Sequence, residues 1–418
     1  MMLKFEFEPF DVLFFGSGKA FNRGDDASSI FPPFSHTFAG AISKKLATFL
    51  NIESSKVIKY IYGPFVKRLT ETYNEETNSC QKKETIFFSI PSNIYTARKE
   101  DNPNFFCILK PLENRALKLF FSKNTNKPDK ISTFCVYTKD ETEIEPFTGF
   151  ISIEYLKHWL EGSLENKLSN TNIDIENKKN IIKLDEICQN DNRIGIKINH
   201  RDGTVEKKSG VYRVSFKKLK IEPAEKFSFV VWVEFNLEDE NLKKTNLGYE
   251  QIKAIFEKSP RVLKVGGESR IVSYKIEEVS FFDEIKDLLK VENTFVGFLK
   301  FENNNLLIFP EFPGKIIEIQ KDEQIQILFL THGVFDNFLP DLLDKCGFRT
   351  ITMTMNSCLN ITLYSSKNTR FFSKAIPAGT VIWAIAEKDI EISSGNISSL
   401  PINSFIGSNL VLIRKEKT

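Results

Sequence analysis

The chain contains little of what membrane-spanning or secreted proteins are built from. No run of about 18 apolar residues occurs in its 418 residues, which argues against an ordinary transmembrane helix. The first ten residues, MMLKFEFEPF, carry acidic side chains where a signal peptide needs a basic and then an apolar stretch. We therefore expect a cytoplasmic protein with no membrane partner.

Cysteine and histidine are also scarce, with six cysteines and four histidines. The cysteines stand far apart and form no C-x-x-C pair, so neither a common zinc motif nor a disulfide framework is expected. The motifs H-E-x-x-H and G-x-S-x-G are absent. The sequence GSGK at 16–19 lacks the upstream glycine and the following Ser or Thr of a nucleotide-binding P-loop. We expect no metal and no cofactor.

Positive charge is present but concentrated in one segment. The whole chain has 57 basic and 55 acidic residues and a net charge of +2, whereas residues 193–220 alone carry +7. The nine basic residues of this segment are Arg193, Lys197, Arg201, Lys207, Lys208, Arg213, Lys217, Lys218 and Lys220. The turn-rich sequence HRDGTVEKKSGVY predicts a projecting hairpin with Tyr212 at its base. Such a hairpin suits contacts to RNA phosphates and a stacked base, although a solvated charged surface has the same composition.

The spacing of apolar residues predicts an α+β fold. A strand at 3–15, a helix at 36–50, a strand at 227–235 and a helix at 248–259 lie among further short strands. Their order matches the split βαββαβ pattern of ferredoxin-like domains. From residue 293 onwards strand patterns dominate, with one helix predicted near 336–345.

We expect two ferredoxin-like domains, of the RRM-like type found in RAMP proteins, with long insertions. The first spans 1–278, with insertions at about 51–84 and 99–190 and the basic hairpin near 193–213. The second spans 279–418.

The stretch FPPFSHTFAGAISKKL places small polar residues at the predicted start of the first helix. One interpretation makes His36 a general base that acts on the 2′-hydroxyl of RNA. Another makes Ser35, Thr37 and the free helix amides a cradle for a phosphate chain. A third makes Ser35 or Thr37 no more than a helix cap. Because His36 has no second acid–base partner in the sequence, catalysis is the weaker interpretation.

The rest of this helix divides into a polar and an apolar side. Gly40, Lys44 and Lys45 follow the polar start and could contact the same phosphate chain. The residues predicted to face the core are Phe38, Ile42, Leu46 and Phe49.

A glycine pair, Gly266 and Gly267, lies between the second predicted helix and the strand that follows it. Glycine amides can approach a phosphate closely, and Arg270 just beyond could add a charged contact, although a plain tight turn has the same sequence. Lys19 and Arg23, in the loop before the first helix, complete the candidate RNA contacts.

Five segments in order resemble one known family. They are LFFGSGKAF, FPPFSHTFAGAISKKL, RIGIKINHRDGTVEKKSGVYRVSF, KVGGESRI and AIPAGTVIWAI. Their order is similar to that of the RAMP-superfamily subunit three of Cmr complexes, the type III-B CRISPR effectors. The five segments together span most of the chain from residue 13 to residue 386.

The resemblance can be carried over residue by residue. The family's GA-[LI]-R helix start falls on Gly40-Ala41-Ile42-Ser43, where serine stands in place of the arginine and Lys44 or Lys45 could substitute. The hairpin entry matches Gly195, Ile196 and Ile198 but has Asn199 in place of an acid. Further matches are Gly203, Thr204, Gly210 and Tyr212 in the hairpin, Gly266, Gly267, Glu268 and Arg270 in the glycine turn, and Pro377, Ala378 and Gly379 later.

The resemblance implies a non-catalytic subunit that binds the repeat-derived 5′ tag of the guide RNA (crRNA) for antiviral defence. It implies docking on the large polymerase-like subunit and next to a backbone RAMP subunit of the Cmr complex. Two alternatives remain open: a metal-independent RAMP endoribonuclease that trims guide precursors through His36, and a general RNA chaperone-like module.

Overall fold

The structure, a computed structural model, has a mixed α+β fold in which strands predominate, which confirms the predicted fold class. It describes residues 2–16, 26–52, 57–74, 79–99, 102–111, 135–136, 143–169, 177–196, 211–238, 240–243, 248–268, 270–302, 304–309, 317–364, 370–394 and 406–416. No helix within these ranges is long and apolar enough to cross a membrane.

The strands of the first part of the chain are β1 (Met2–Pro9), β2 (Asp26–Ser28), β3 (Ile58–Asn74), β4 (Ser79–Ser89), β5 (Ile94–Lys99), β6 (Asn102–Ile108), β7 (Lys110–Pro111), β8 (Cys135–Val136), β9 (Glu143–Pro146), β10 (Gly149–Ser152), β11 (Ile181–Lys183), β12 (Cys188–Ile196), β13 (Val211–Leu219), β14 (Glu225–Phe235), β15 (Val262–Lys264) and β16 (Ile271–Glu277). Those of the second part are β17 (Thr294–Glu302), β18 (Asn305–Phe309), β19 (Ile317–Ile319), β20 (Gln324–Phe329), β21 (Phe348–Thr354), β22 (Leu359–Tyr364), β23 (Arg370–Ala375), β24 (Val381–Ala386), β25 (Ile390–Ser394) and β26 (Leu410–Glu416).

The helices are mostly short. They are α1 (Ser35–Leu50), α2 (Ile153–Glu161), α3 (Leu164–Ser169), α4 (Asn177–Asn180), α5 (Leu184–Ile187), α6 (Glu240–Lys243), α7 (Tyr249–Glu257), α8 (Phe281–Glu284), α9 (Lys286–Leu289) and α10 (Leu339–Lys345). The predicted helices at 36–50 and 248–259 are therefore confirmed as α1 and α7.

The first large sheet has the strand order β11-β10-β4-β3-β14-β1-β16-β15. In β1, alternate residues point to opposite faces, so Leu3, Phe5 and Phe7 all face the side on which α1 and α7 pack. The Phe5 ring meets Phe256 of α7 edge-on, and the Phe7 ring packs on Phe38 of α1, each pair with its ring centres 5.1 Å apart. Burial of these aromatic residues holds both helices against the sheet.

The second large sheet has the order β19-β25-β18-β17-β26-β20-β24-β21. Leu339 and Leu343 of α10 pack against its outer face, in one cluster with Ile327 and Ile413. The strand β24 lies between β20 and β21 in antiparallel pairing with both.

The inner faces of the two large sheets share one core. Tyr62 and Trp232 from the first sheet belong to the same buried cluster as Phe298, Trp383 and Leu412 from the second. The two halves of the chain therefore pack through a common apolar layer. The proposed boundary near residue 278 falls in the connection between β16 and α8.

Three stretches differ in detail from expectation. Phe49, predicted to face the core, is 52% exposed, and the Lys258 ammonium lies 4.8 Å above its ring, whereas Leu50 packs against the core. The predicted insertion at about 51–84 contains all of β3 and the first half of β4, both of which belong to the first sheet. The predicted insertion at 99–190 contains α2 and two strands of the same sheet, β10 and β11.

Candidate nucleic-acid interface

The predicted basic hairpin is built on the antiparallel pair β12 and β13, which with β2 forms a small separate sheet. Opposite residues share a face of such a pair, so Arg193 with Val214 and Asp191 with Phe216 lie on one side. Ile194 with Arg213 lies on the other side, and both of these residues are exposed. The described part of this pair is the root of the hairpin.

The ring of Phe216 brings two predicted RNA-binding residues together. The guanidinium carbon of Arg193 lies 5.2 Å from the centre of this ring and that of Arg270 lies 4.5 Å from it. Such stacking on an aromatic face holds a guanidinium in place without using up its hydrogen-bond donors. Arg193 and Arg270, about 80 positions apart in the sequence, therefore meet on one side of the root.

The two arginines differ in their polar partners. Arg193 hydrogen bonds to Asp191 at 2.9 Å and to Asp11 at 3.1 Å, and these carboxylates hold the pKa of its guanidinium above the ordinary value. The Nε of Arg270 is buried with no hydrogen-bond partner in the described structure. Of the two arginines on Phe216, Arg270 is thus the one with an unsatisfied donor, its Nε.

The glycine turn, Gly266 and Gly267, contacts Phe14, which in turn packs on Phe216. Gly266 has a φ of +76°, and a Cβ built on it would lie 2.4 Å from the carbonyl oxygen of Phe14. The Gly267 amide donates a 2.8 Å hydrogen bond to the same oxygen. The close approach that these glycines permit is therefore to the segment around Phe14, whose ring packs edge-on against Phe216.

Tyr212, predicted to stack on a base, lies above the opposite residue of the pair. A Cβ on Gly195 would lie 2.1 Å from the tyrosine ring, so the ring occupies the space that a larger residue would need. Tyr212 is half-buried as a result.

Other predicted contacts of the basic segment divide by exposure. Arg213 and Lys218 are exposed on β13, whereas Lys217 donates to the Asn190 side chain at 2.7 Å. The predicted contacts Lys19, Arg23, Lys197, Arg201, Thr204, Lys207 and Lys208 lie outside the described residues.

The start of α1, the second predicted region, lies at the junction between the two halves. Its N-cap residue is Phe34, which makes no side-chain capping bond, so neither Ser35 nor Thr37 is the cap. The Ser35 hydroxyl is buried and donates to the backbone carbonyls of Gly63 and Gly407. Ser35 therefore bonds to the first half of the chain through Gly63 and to the second half through Gly407.

His332 joins the same junction from the second half. Its Nε2 lies 2.8 Å from the Pro32 carbonyl oxygen, and its Nδ1 accepts the Ala378 amide at 3.0 Å. These bonds select the neutral tautomer with its proton on Nε2. Burial lowers the pKa of His332 to about 4.

His36, which belongs to α1, is a neighbour of His332. Its ring stacks on Phe34 at 5.3 Å, and its Nδ1 is buried with no hydrogen-bond partner in the described structure. Burial, and then the neighbouring His332, lower the pKa of His36 to about 4. A general base needs a proton to accept within hydrogen-bond reach, and this nitrogen faces protein.

One face of α1 remains open to solvent. His36, Gly40 and Lys44 follow each other at intervals of four residues, and both Gly40 and Lys44 are exposed. No atom lies within 4 Å of a Cβ built on Gly40. Lys45 points elsewhere: its ammonium donates to Tyr274 at 2.6 Å and to the Pro260 carbonyl at 3.0 Å.

The segment at 12–16 connects the two regions. Phe14 packs on Phe216 at the hairpin root, and the next residue, Phe15, packs on Phe38 of α1 with ring centres 6.2 Å apart. Within the described ranges, no group of three or more His, Cys, Asp or Glu side chains is arranged to hold a metal ion.

A family model of CRISPR-associated proteins (Cas_Cmr3) matches residues 5–294, which include both regions. The chain belongs to the Cas_Cmr3 family. A search of curated proteins found no match.

Three solved structures are similar to this Cas_Cmr3 chain at 14% identity. A chain of the type III-B Cmr-beta complex bound to cognate target RNA and AMPPnP has a TM-score of 0.41, and one of the complex bound to cognate target RNA has 0.42. Each comparison covers 92% of this chain and 86% of the other. A chain of the apo Cmr-beta complex has a TM-score of 0.27, covering 66% of this chain and 98% of the other.

The sequence of this Cas_Cmr3 chain does not predict the roles of several residues in the two regions. Phe216 looks like any strand residue in the sequence, and Asp11 lies 182 positions from the arginine it pairs with. His332 has no distinctive pattern around it in the sequence. The P-A-G segment offered a partial signal, because Ala378 binds His332 and a Cβ on Gly379 would lie 2.4 Å from the Ile90 carbonyl oxygen.

Proposed function

We propose that this Cas_Cmr3 chain is a non-catalytic, cytoplasmic guide-RNA-binding subunit of a type III-B Cmr effector complex. Its RNA ligand is the repeat-derived 5′ tag of the crRNA, and the guide itself selects the target by base pairing. Its protein partners are the large polymerase-like subunit and an adjacent backbone RAMP subunit.

The observation that carries the proposal is the meeting of Arg193 and Arg270 on Phe216. A single-stranded RNA is bound through its phosphates by cations and through its bases by aromatic or guanidinium planes. The root of the hairpin presents two guanidinium planes together with the exposed Arg213 and Lys218. Family membership supplies the biological setting.

The start of α1 plays a smaller part in this proposal. Gly40 and Lys44 face solvent and suit a close approach by RNA, while the Ser35 hydroxyl bonds to a backbone carbonyl and the His36 ring stacks on Phe34. This arrangement supports an assembly role for α1 better than a catalytic role for His36.

We also propose that both halves are ferredoxin-like units. In such a unit the fourth, first, third and second strands lie side by side. The orders β16-β1-β14-β3 and β26-β20-β24-β21 support this interpretation. In the first half α1 and α7 occupy the two helix positions of the pattern, and in the second half α10 occupies the first of them.

The salt dependence of RNA binding tests the proposed interface. We replace Arg213, Lys218 and Arg270 with alanine and measure the affinity for tag-containing crRNA against salt concentration. Each lost phosphate contact should lower the slope of log affinity against log salt by about 0.7. The triple variant should therefore lower it by about 2.

A matched control carries the same change of charge elsewhere. Alanine at Lys286, Lys290 and Lys321, three exposed lysines of the second half, should leave the slope unchanged. Equal slopes for the two triple variants would contradict the proposed interface. Cleavage of crRNA precursor by wild-type protein, lost in His36→Ala, would favour the endoribonuclease instead.

A further inference from the structure

A cavity of about 240 Å³ opens between the two halves, away from the hairpin. Its walls come from the start of β3, from β17, from the loop that precedes α10, and from the loop that precedes β26. They are largely apolar, and the aromatic residues of the lining are Tyr60, Phe298, Phe301 and Phe335. Binding pockets occur preferentially at domain interfaces, and hydrophobic and aromatic side chains with a few polar groups form most of their lining.

Two buried hydroxyl groups belong to this lining and have no partner. Tyr60 is 2% exposed and Ser408 is 5% exposed, and in the described structure neither Tyr60 Oη nor Ser408 Oγ makes a hydrogen bond. Unpaired buried hydroxyls are uncommon because each costs free energy. A ligand in the cavity that carries a hydrogen-bonding group would offer these hydroxyls a partner.

The charges at the mouth are balanced. Lys59 forms a 2.8 Å ion pair with Glu234, and Lys300 and Asp336 bring opposite charges to the lining. A site for an RNA phosphate chain needs an excess of cations, which this mouth lacks. Phe338, 53% exposed, follows directly after the lining residue Asn337 and adds an apolar contact surface.

We propose that this cavity receives an aromatic side chain with a polar tip, a tyrosine or a tryptophan, from a neighbouring protein subunit. The ring of that residue packs among the aromatic walls, and its polar tip hydrogen bonds to Tyr60 and Ser408. Aromatic anchors in preformed pockets, with apolar contacts around them, are typical of protein–protein interfaces. The choice of a Cmr subunit as partner rests on the proposed function.

The loop that forms one wall of the cavity also holds the start of α1. The Gly407 carbonyl accepts the Ser35 hydroxyl at 2.9 Å, and the Asn409 amide donates to the His332 carbonyl at 3.0 Å. Filling the cavity would therefore steady the junction between the halves as the subunit docks.

A small phenol tests the chemistry of the cavity on the isolated chain. We expect 4-methylphenol to bind saturably at one site in calorimetry, and toluene, which lacks the hydroxyl, to bind about tenfold more weakly. Ser408→Ala should reduce that preference. Absence of saturable phenol binding, or tighter binding of adenosine monophosphate than of the phenol, would overturn the proposal.

Co-purification with neighbouring subunits tests the docking. Asn337→Trp places a bulky ring at the mouth of the cavity, and Asn305→Trp makes the same change at an exposed position outside the lining. We expect only Asn337→Trp to lose the large subunit or the adjacent backbone subunit. Full retention of both subunits by Asn337→Trp would refute the docking.

The RNA measurement keeps this test separate from the proposed function. Asn337→Trp should bind crRNA with wild-type salt dependence, because it lies outside the hairpin root. If the triple variant at the root fails to change the slope, the proposed interface falls while the result for the cavity stands.

Discussion

The start of α1 and the root of the hairpin carry similar sequence signals but are used differently. Both combine polar residues with glycine, yet the polar groups of Ser35 and His332 are bonded to backbone atoms across the junction. At the root, Arg270 rests on the ring of Phe216, and the same strand exposes Arg213 and Lys218. The comparison teaches that polar groups bonded to backbone atoms across a junction mark a structural joint, and that stacked cations together with exposed basic residues mark a binding surface.

The largest expected effect is a loss of stability after a substitution at the junction between the two halves. His332→Leu leaves the Ala378 amide and the Pro32 carbonyl without their partners in a buried place. We expect a loss of about 2–5 kcal/mol in the free energy of unfolding, measured by denaturant titration. The folded fraction should bind crRNA normally.

The same substitution at a half-exposed histidine is the control. His158 bonds to the Ser163 hydroxyl at 2.9 Å near the end of α2, and His158→Leu should cost less than about 1 kcal/mol. Equal losses for the two variants would show that the junction is no stronger than a surface contact.

The next largest expected effect is on crRNA binding, and it differs between the two arginines that stack on Phe216. Arg270→Ala should weaken crRNA binding by about 1.5–3 kcal/mol, the range for one charge-assisted contact. Arg193→Ala should weaken it less, because Asp191 and Asp11 already neutralise its guanidinium. Filter binding at fixed salt measures both, with circular dichroism as the check on folding. A greater loss for Arg193→Ala would reverse the assignment of the two residues.

Two glycines should respond in opposite directions to alanine. Gly266→Ala should lower stability by at least about 1–2 kcal/mol, because its φ of +76° is unfavourable for a residue with a Cβ. Gly40→Ala, in the middle of a helix with open space above it, should raise stability by about 0.5–1 kcal/mol.

Thermal unfolding of the isolated variants decides between these outcomes, and crRNA binding adds a second readout. A stabilised Gly40→Ala protein that binds RNA or its partner subunits poorly would mean that the glycine serves close approach by a partner. Stabilisation by Gly266→Ala would contradict the packing of the glycine turn on Phe14.

The last effect is the dependence of stability on pH. The folded pKa of His332 is about 4, below the usual value near 6.5, so the unfolded chain binds more protons between these pH values. Stability contributed by neutral His332 is complete above pH 6.5 and declines as the pH falls towards 4. The expected slope is up to about 1.4 kcal/mol per pH unit.

Denaturant titrations from pH 4 to pH 7 measure this slope. It should be smaller in His332→Leu, and the part that remains should reflect His36, whose pKa is also about 4. A slope unaffected by the substitution would mean that His332 does not contribute to the pH dependence.

Much of the fold followed from local pattern. The alternation in FSFVVWVEF and the helical spacing of Phe38, Ile42 and Leu46 predicted β14 and α1 because one face of each element is buried. The same reasoning was wrong for Phe49, because Leu50, four residues after Leu46, packs against the core and leaves Phe49 exposed. Polarity also made the stretch at 66–84 resemble part of an insertion, although 66–74 belong to β3 and 79–84 belong to β4.

The candidate site was predictable in composition but not in geometry. Local charge singled out the segment at 193–220, and the glycine pair singled out the turn before Arg270. Their meeting depended on Phe216 and Phe14, which carry no distinctive local pattern. The bond between His332 and Pro32, 300 positions apart, was likewise beyond any local rule.

By itself, the sequence determined the α+β class, the location of the main helices and strands, the concentration of positive charge and the family resemblance. Each of these depends on the composition or spacing of residues that lie close together along the chain. Only the tertiary structure decided which polar groups face solvent and which are consumed at the junction, and where the cavity between the halves opens. Those outcomes depend on contacts between distant strands, which burial of a shared apolar core brings into register.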